Sequence, residues 1–517
     1  MTHLCVAIFA TSVEQVRRDT TAAAEAGADL VELRVDNIED AQTIRQMVQA
    51  SSLPAIVTCR PTWEGGHSTL SDSQRIALLR DGASGLAAYV DVELRAMPSI
   101  AAFSPQPREQ RTGIIASSHD FTTRPDRLWN IVAELNASPA DISKIVWSAR
   151  NIRDNLEAFE ILQNRSKPTI ALCMGEAGVI SRILARKFGA FLTFASLTSD
   201  GGTAPGQVSV SDMKRLYRWD AIGPETKVYG VVADPVGHSM SPAIHNAAFD
   251  AIHYDGVYLP LLVQGTYESF KAFMETFLAF ERLHLSGLSV TIPHKQHALR
   301  YLREKGHRVE PLAEAIGAVN TIAISRDGGR ISLYGFNTDY AAILDSITAA
   351  LDIRREDLAG RRVAVIGAGG TGRTAVAALA KYGATVEVYN RTLERAEALA
   401  EEFNGKTGEV SAKPMEDLPR GGCSIYLNTT SVGMHPHTDV TPFGDAEPPF
   451  DTNTLVFDAI YNPTRTRLLE LAEKAGAKTI SGVEMFVRQA VGQFEAWTRQ
   501  PAPVDVMRRV IESRLRK

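Results

Sequence analysis

The sequence predicts an α/β protein: a (β/α)8 TIM barrel, then a smaller α/β domain joined to a Rossmann dinucleotide-binding domain. Three observations carry this expectation. Eight short apolar runs alternate with helix-compatible stretches ahead of Gly223, the pattern of a small barrel of parallel strands. A polar, helix-compatible run at 211–220 then gives way to a break at 222–226, IGPET, where Gly and Pro both interrupt regular structure, and a fresh apolar strand at 227–232 opens a second unit. Much later, RRVAVIGAGGTGR sets Gly367, Gly369 and Gly372 in GxGxxG spacing. A strand at 363–366 precedes these glycines and a helix-compatible stretch at 374–381 follows, the context of a nucleotide-binding turn.

Composition narrows the classes of function. At 517 residues the chain is too long for one core. The expected division is a barrel at 1–223, a smaller domain at 224–338 completed by returning helices at 483–517, and a Rossmann domain at 339–482. Lys plus Arg total 55 against 60 for Asp plus Glu, so no basic field invites nucleic acid or an anionic membrane. Small molecules are the expected partners, and the oligomeric state stays open. Cys5, Cys59, Cys173 and Cys423 lie far apart with no CxxC spacing. Buried thiols in a reducing cytoplasm, and no metal site, are the expectation. MTHLCVAIFATS reads as a first strand rather than a cleavable leader, and no apolar stretch reaches membrane-spanning length.

The barrel strands are expected at 4–9, 30–33, 55–59, 89–92, 113–116, 142–147, 169–172 and 191–194. Side chains at the carboxyl ends of such strands face the active site. Those ends carry Glu32 and Arg34, Arg60, His119-Asp120 and Lys144, with Arg182, Thr203 and Gln207 in the following loops. Lys144 is flanked by Ile142, Ile145 and Val146. Burying an ammonium is costly unless it is paired or neutral, so a desolvated amine of depressed pKa is expected, ready to form an imine with a ketone. His119, titrating near neutrality, can move the protons. A single strand lysine is more often outward and solvated, and two arginines with a glutamate could form a structural ion network. Their convergence at the strand ends of one barrel favours a site.

The set VELRVD, TCRPTWEGG, SSHDF, DISK, MGEAGVISR and GTAPGQ resembles type I 3-dehydroquinate dehydratases across essentially the whole first half. The resemblance implies a Schiff base on Lys144, with His119 as general base and acid, oriented by a carboxylate. Glu32 joins these two as catalytic and, with Arg34 and Arg60, holds ring hydroxyls. Arg182 and Gln207 hold the substrate carboxylate. Glu64 fits the same motif, and Thr203 supplies a hydroxyl where serine is commoner.

In the second half, a strand at 385–389 ends in Asn390-Arg391-Thr392. An NAD enzyme usually places an acid there, whereas a guanidinium suits the 2′-phosphate of NADP. The expected cofactor site is Gly367, Ala368, Gly369, Gly370 and Gly372, then Asn390, Arg391 and Thr392, with Thr430 and Gly482. Ahead of the fingerprint come GHSMSPAIHN (Ser239, Ser241), LSVTIPHK (Thr291, Lys295), GAVNT (Asn320) and FNTD (Asn337, Asp339). Singly these pass as turn and capping residues. With YLNTTSVGM, DAIYNPTRTRLL and SGVEMFVRQAVGQ they resemble shikimate dehydrogenases over the entire second half. That resemblance makes Lys295 and Asp339 the catalytic pair and gives the substrate carboxylate to Ser239 and Ser241. Thr291, Asn320, Asp339 and Gln489 contact ring hydroxyls, Gln493, one helical turn beyond Gln489, joins the substrate-binding set, and Tyr461 borders the pocket. Lys295, beside a carboxylate, should stay charged and donate a proton.

Together the two resemblances are those of a plant-type fusion, here without a transit peptide. It would convert 3-dehydroquinate to 3-dehydroshikimate and then, with NADPH, to shikimate. Two rivals stay open on the residues alone. A catabolic pair favouring quinate and NAD would carry an acid in place of Arg391 and smaller residues at Ser241 or Thr291, and a metabolite-sensing relative would lack Lys144 or Lys295.

Overall fold

The computed structural model describes residues 2–102, 112–198, 206–237, 239–405 and 408–515. They cluster into two compact units, Met1–Pro242 with Tyr254–Leu285, and Ala243–His253 with Ser286–Lys517. Among the described residues no helix is long and apolar enough to cross a membrane.

The first unit opens with eight strands: β1 (His3–Phe9), β2 (Leu30–Arg34), β3 (Ala55–Thr58), β4 (Tyr89–Glu93), β5 (Gly113–Asp120), β6 (Ile142–Ser148), β7 (Thr169–Met174) and β8 (Leu192–Ala195). All pair in parallel in the order β7-β6-β5-β4-β3-β2-β1-β8. The two ends of that order meet through the Phe191 N–H, which donates to the Thr169 carbonyl at 2.8 Å. This is the expected TIM-like barrel. Cys5, Ala7, Leu30, Ile56, Ile115, Ile142, Val146, Ile170, Leu172 and Phe194 fill its interior.

Local sequence explains the connecting helices. Ser12 caps Val13–Ala26, and Gly27 ends it at a φ of 94°, where a side chain would be strained. Ser71 and Gln74 form a capping box that starts Asp72–Ala83. The helix-compatible run at 211–220 forms only a π-type turn, Asp212–Leu216, and a 3-10 turn, Trp219–Ala221. Arg218 takes a φ of 55° between them, and the bend buries Trp219. The unit continues with β9 (Lys227–Ala233) and β10 (Gly256–Leu262), paired in parallel.

In the second unit, β11 (Leu285–Val290) pairs antiparallel with β13 (Thr321–Asp327), and β13 with β14 (Arg330–Phe336); the short β12 (Arg308–Val309) runs parallel to β14. Then comes a second parallel sheet of β15 (Arg362–Ile366), β16 (Thr385–Tyr389), β17 (Val410–Lys413), β18 (Ile425–Asn428), β19 (Leu455–Asp458) and β20 (Lys478–Ile480). Its order, β17-β16-β15-β18-β19-β20, is that of a doubly wound dinucleotide fold, in which β15 and β18 flank the topological switch point. Val363 and Val365 feed the core on one face, Ala364 and Ile366 the core on the other, as a sheet covered on both sides requires.

Candidate active sites

Alternation along the strands decides which side chains face the barrel axis. On β6, Ile142 and Val146 belong to the interior cluster. Lys144 lies two residues from each, points inward with them, and is 3% exposed. The same parity brings Glu32 inside with Leu30, and Ser117 and His119 inside with Ile115. On β4, Asp91 and Glu93 share a face and are both fully buried.

Lys144 is buried, as expected of a desolvated amine, and it is also paired. Its Nζ donates to Asp91 Oδ2 at 2.8 Å and to Glu32 Oε1 at 3.2 Å. An ammonium buried this deeply needs an anion, and β4 and β2 supply two. Burial alone would raise the Asp91 carboxyl, but Arg60 and Lys144 outweigh it and hold it well below the usual carboxylate range. Nor is Arg60 a free arm. It donates to Glu93 Oε1 and Asp91 Oδ1, both at 2.7 Å, and to Ser117 Oγ at 2.8 Å. Arg34 forks onto Asp36 at 3.1 and 2.6 Å.

His119 Nδ1 lies 2.8 Å from Glu64 Oε1. Burial, with the Arg60 and Lys144 charges, pushes the imidazole well below its ordinary value. Burial also pushes the Glu64 carboxyl up to about 8, with Arg60 opposing and Glu93 and Asp91 adding to the rise. Arg182 is buried with no hydrogen-bond partner at Nε, and among the described residues no carboxylate pairs with it. Burial accordingly lowers its guanidinium to about 10. Glu32, Arg34, Arg60, His119, Lys144, Arg182 and Gln207 line one cavity, walled on its apolar side by Phe121, Val146, Leu172, Met174 and Phe194. Glu64 touches both His119, at 2.8 Å, and the Arg60 guanidinium, at 3.8 Å. Thr203 lies outside the described residues. A cavity holding a primary amine, a neutral imidazole and an unpaired buried cation suits an anionic carbonyl compound.

The second centre lies in the second unit. Lys295 opens the helix Lys295–Glu304 after a turn in which the His294 N–H donates to the Thr291 carbonyl at 2.7 Å. Its Nζ donates to Asp339 Oδ2 at 2.7 Å, with the lysine 26% and the carboxylate 13% exposed. Asp339 stands in the first turn of Thr338–Leu351, which Asn337 caps by accepting the Asp339 N–H at 2.9 Å. Asn320 braces that helix start: Oδ1 accepts from the Thr338 N–H at 2.8 Å, and Nδ2 donates to Thr338 Oγ1 at 3.0 Å.

Gln489 and Gln493 lie one turn apart on Gly482–Thr498, a helix packed along Thr338–Leu351. Gln489 Nε2 donates to the Phe486 carbonyl at 3.1 Å. Gln493 is occupied at both ends of its amide. Oε1 meets Ser289 Oγ at 2.9 Å and His245 Nε2 at 3.2 Å, and Nε2 donates to Thr321 Oγ1 at 3.1 Å. Gln493 therefore braces protein groups where the sequence suggested a ligand of the substrate. Tyr461 is 37% exposed, its ring 5.5 Å from that of Phe486. In the first unit, Ser239 Oγ accepts the Ser241 N–H at 3.3 Å, at the start of Ser241–Ala251.

The glycine turn follows β15. Gly367 takes a φ of 108°, and a Cβ on Gly372 would stand 2.0 Å from the Gly367 carbonyl oxygen. Gly369 and Gly370, by contrast, face open space, with nothing within 4 Å of an added Cβ. Gly370–Lys381 begins there and directs its unbonded N–H groups at that space. Asn390 Oδ1 accepts from the Ala368 N–H at 3.1 Å, and its Nδ2 donates to the Thr392 carbonyl at 2.7 Å. Arg391 is exposed, and no ion pair engages it among the described residues. A pyrophosphate fits this cradle, and a 2′-phosphate fits the free guanidinium. Thr430 Oγ1 donates to Asn428 Oδ1 at 2.7 Å at the end of β18. Gly482 has a packing role, since a Cβ there would stand 2.4 Å from the Ala459 carbonyl oxygen.

Over 517 aligned residues the chain is 39% identical to the bifunctional 3-dehydroquinate dehydratase/shikimate dehydrogenase, chloroplastic, of Arabidopsis thaliana, covering 97% of this chain and 83% of that protein. The chain belongs to this bifunctional family. Family models divide it accordingly: type I 3-dehydroquinase at residues 4–224, shikimate dehydrogenase substrate binding domain at 231–322, shikimate/quinate 5-dehydrogenase at 349–421 and shikimate 5′-dehydrogenase C-terminal domain at 482–512. The shikimate dehydrogenase (NADP+) of Methanosarcina acetivorans is 40% identical over 291 residues, 55% of this chain and 97% of that one. The crystal structure of a shikimate dehydrogenase in complex with NADP+ superposes with a TM-score of 0.50 at 34% identity, covering 57% of this chain and 97% of that chain.

Within the dehydratase half, sequence reading passed over Asp91, Glu93, Ser117 and Arg75. The signal was present in YVDVE, where two acids two residues apart on an apolar strand must face the same way. In the dehydrogenase half it passed over His245, Thr321 and Thr338, whose contacts join segments distant in sequence.

Proposed function

We propose that the barrel, at 1–223, dehydrates 3-dehydroquinate through an imine on Lys144. The remainder, divided at 224–338 with 483–517 and at 339–482, reduces the 3-dehydroshikimate formed to shikimate with NADPH. The observation that carries the first step is Lys144 at the base of the barrel cavity, with carboxylates on one side and His119 in the same lining. Arg182, a buried cation with no carboxylate partner among the described residues, takes the substrate carboxylate, assisted by Gln207, Ser239 and Ser241 having the corresponding role in the second half. Glu32 is the acceptor within reach when Lys144 gives up a proton to become a nucleophile, while Asp91 stays ionised and holds the ammonium beforehand.

The amine adds to the C3 ketone and water leaves, giving an iminium. That cation withdraws electrons and acidifies the C2 proton, so His119 removes it at Nε2 while Nδ1–H donates to ionised Glu64. The imidazolium returns this proton to the C1 hydroxyl, which departs as water and leaves the conjugated double bond. Hydrolysis of the iminium frees the ketone and restores Lys144. In the reduction, NADPH bound along the glycine turn supplies the hydride. Lys295, held by Asp339, donates the proton to the oxygen that becomes the hydroxyl. Free, buried cysteines support a reducing compartment, which we take to be the cytoplasm.

Lys144→Ala should abolish dehydration and leave reduction of supplied 3-dehydroshikimate within about twofold of wild type. Lys295→Ala should lower reduction by about 10²–10⁴-fold and spare dehydration. A folded variant of either kind that lost both activities would contradict the assignment of one lysine to each reaction.

A further inference from the structure

Arg75 belongs to the outer helix Asp72–Ala83, not to a barrel strand, yet its side chain is fully buried. Nη1 donates to Glu93 Oε2 at 2.7 Å and to the Cys59 carbonyl at 2.8 Å, and Nη2 donates to Asp72 Oδ1 at 2.9 Å. The other oxygen of Glu93 accepts from Arg60 at 2.7 Å. Arg60 in turn holds Asp91, whose second oxygen accepts from Lys144. Charges thus alternate in sign from Asp72 through Arg75, Glu93, Arg60 and Asp91 to the reacting amine. The capping box at Ser71 and Gln74 fixes where this row enters from outside.

We propose that Arg75 is a positioning residue for dehydration: it holds one oxygen of Glu93 so that Arg60 stays shared among Glu93, Asp91 and Glu64. Without Arg75, Glu93 has a single cationic partner left. Arg60 is drawn toward it, and uncompensated negative charge builds up beside Glu64, which stands 3.8 Å from Arg60. Glu93 already disfavours ionisation of Glu64, so the proton on Glu64 is held more tightly and the fraction of His119 with an ionised partner falls at every pH on the acidic limb. The inference rests on Lys144, His119 and Glu64 acting as proposed above; trapping of substrate on Lys144 in the wild-type chain tests that reading separately.

The experiment is the pH dependence of kcat/KM for dehydration in Arg75→Gln, Arg75→Lys and the double variant Arg75→Gln/Glu93→Gln. The circular dichroism spectrum and thermal unfolding of each full-length variant serve as the folding control. Arg75→Gln should move the acidic limb upward by about one pH unit, about a tenfold loss on that limb. Arg75→Lys keeps the charge, and the double variant removes both charges, so both limbs should return to near the wild-type position. An unmoved limb in Arg75→Gln overturns the proposal, as does a double variant displaced as far as the single one, because lost packing alone would do that. If Arg75→Gln does not fold, the double variant decides: a wild-type limb supports the proposal and a displaced limb ends it.

Discussion

His119 and Glu64 lie 2.8 Å apart and are driven by burial in the same sense, each toward its neutral form. A protonated Glu64 can donate to Nδ1, which leaves a proton on Nε2 and no lone pair for the substrate. An ionised Glu64 accepts Nδ1–H instead and frees Nε2 as the base. With the carboxyl at about 8, the competent form grows as pH rises, so kcat/KM for dehydration should increase through neutral pH and level off above about 8. Glu64→Gln, whose amide oxygen accepts Nδ1–H at any pH, should lose this limb; an unchanged profile in that variant would place the titrating group elsewhere. The same shift has a consequence for stability. Between the ordinary Glu value of 4.5 and about 8 the folded state binds the Glu64 proton and the unfolded state does not, so this group's contribution falls as pH rises across that window. At the cofactor end, Arg391 is exposed and has no ion-pair partner among the described residues. Arg391→Ala should raise the KM for NADPH by about 10–100-fold, the worth of a charge-assisted contact, with kcat little changed. A rise below twofold would remove Arg391 from the 2′-phosphate.

Among the elements, helix starts place most of the dehydrogenase chemistry. Asn337 caps the helix that carries Asp339, so Asn337→Ala should cost about 1 kcal/mol of stability and lower the rate of reduction as the Lys295–Asp339 pair loosens. Thermal unfolding and the reduction assay check the two effects, and a loss of stability without a loss of rate would show that the cap does not hold the pair. Gly372→Ala would force a Cβ to 2.0 Å from the Gly367 carbonyl oxygen, so reduction should collapse while dehydration persists. The strands were legible in the sequence because apolar runs of four to eight residues between breakers leave little choice; β16 matches the expected range end to end. The run at 211–220 was not, because burying Trp219 through a left-handed Arg218 is a tertiary demand that overrides helix propensity. Nor were the partners of Lys144 legible. Asp91 and Glu32 lie 53 and 112 positions away, and only closure of the barrel brings them to the amine. Asn320 and Gln493 show the same limit: a polar residue in a motif can face substrate or brace the backbone behind it, and spacing alone does not distinguish the two.

At the scale of the molecule, one chain carries two lysines that act in different surroundings. Lys144 is sealed in a barrel among alternating charges, whereas Lys295 lies in a more open pair with Asp339. The central claim is covalent: the barrel works by joining its lysine to the substrate ketone. Borohydride reduction of the full-length protein with 3-dehydroquinate, followed by peptide mass mapping, tests this most directly. The account predicts one stable adduct, on the peptide containing Lys144, with dehydration lost and reduction of 3-dehydroshikimate retained. An unmodified Lys144 under conditions of active turnover, or an adduct on Lys295 instead, would contradict it.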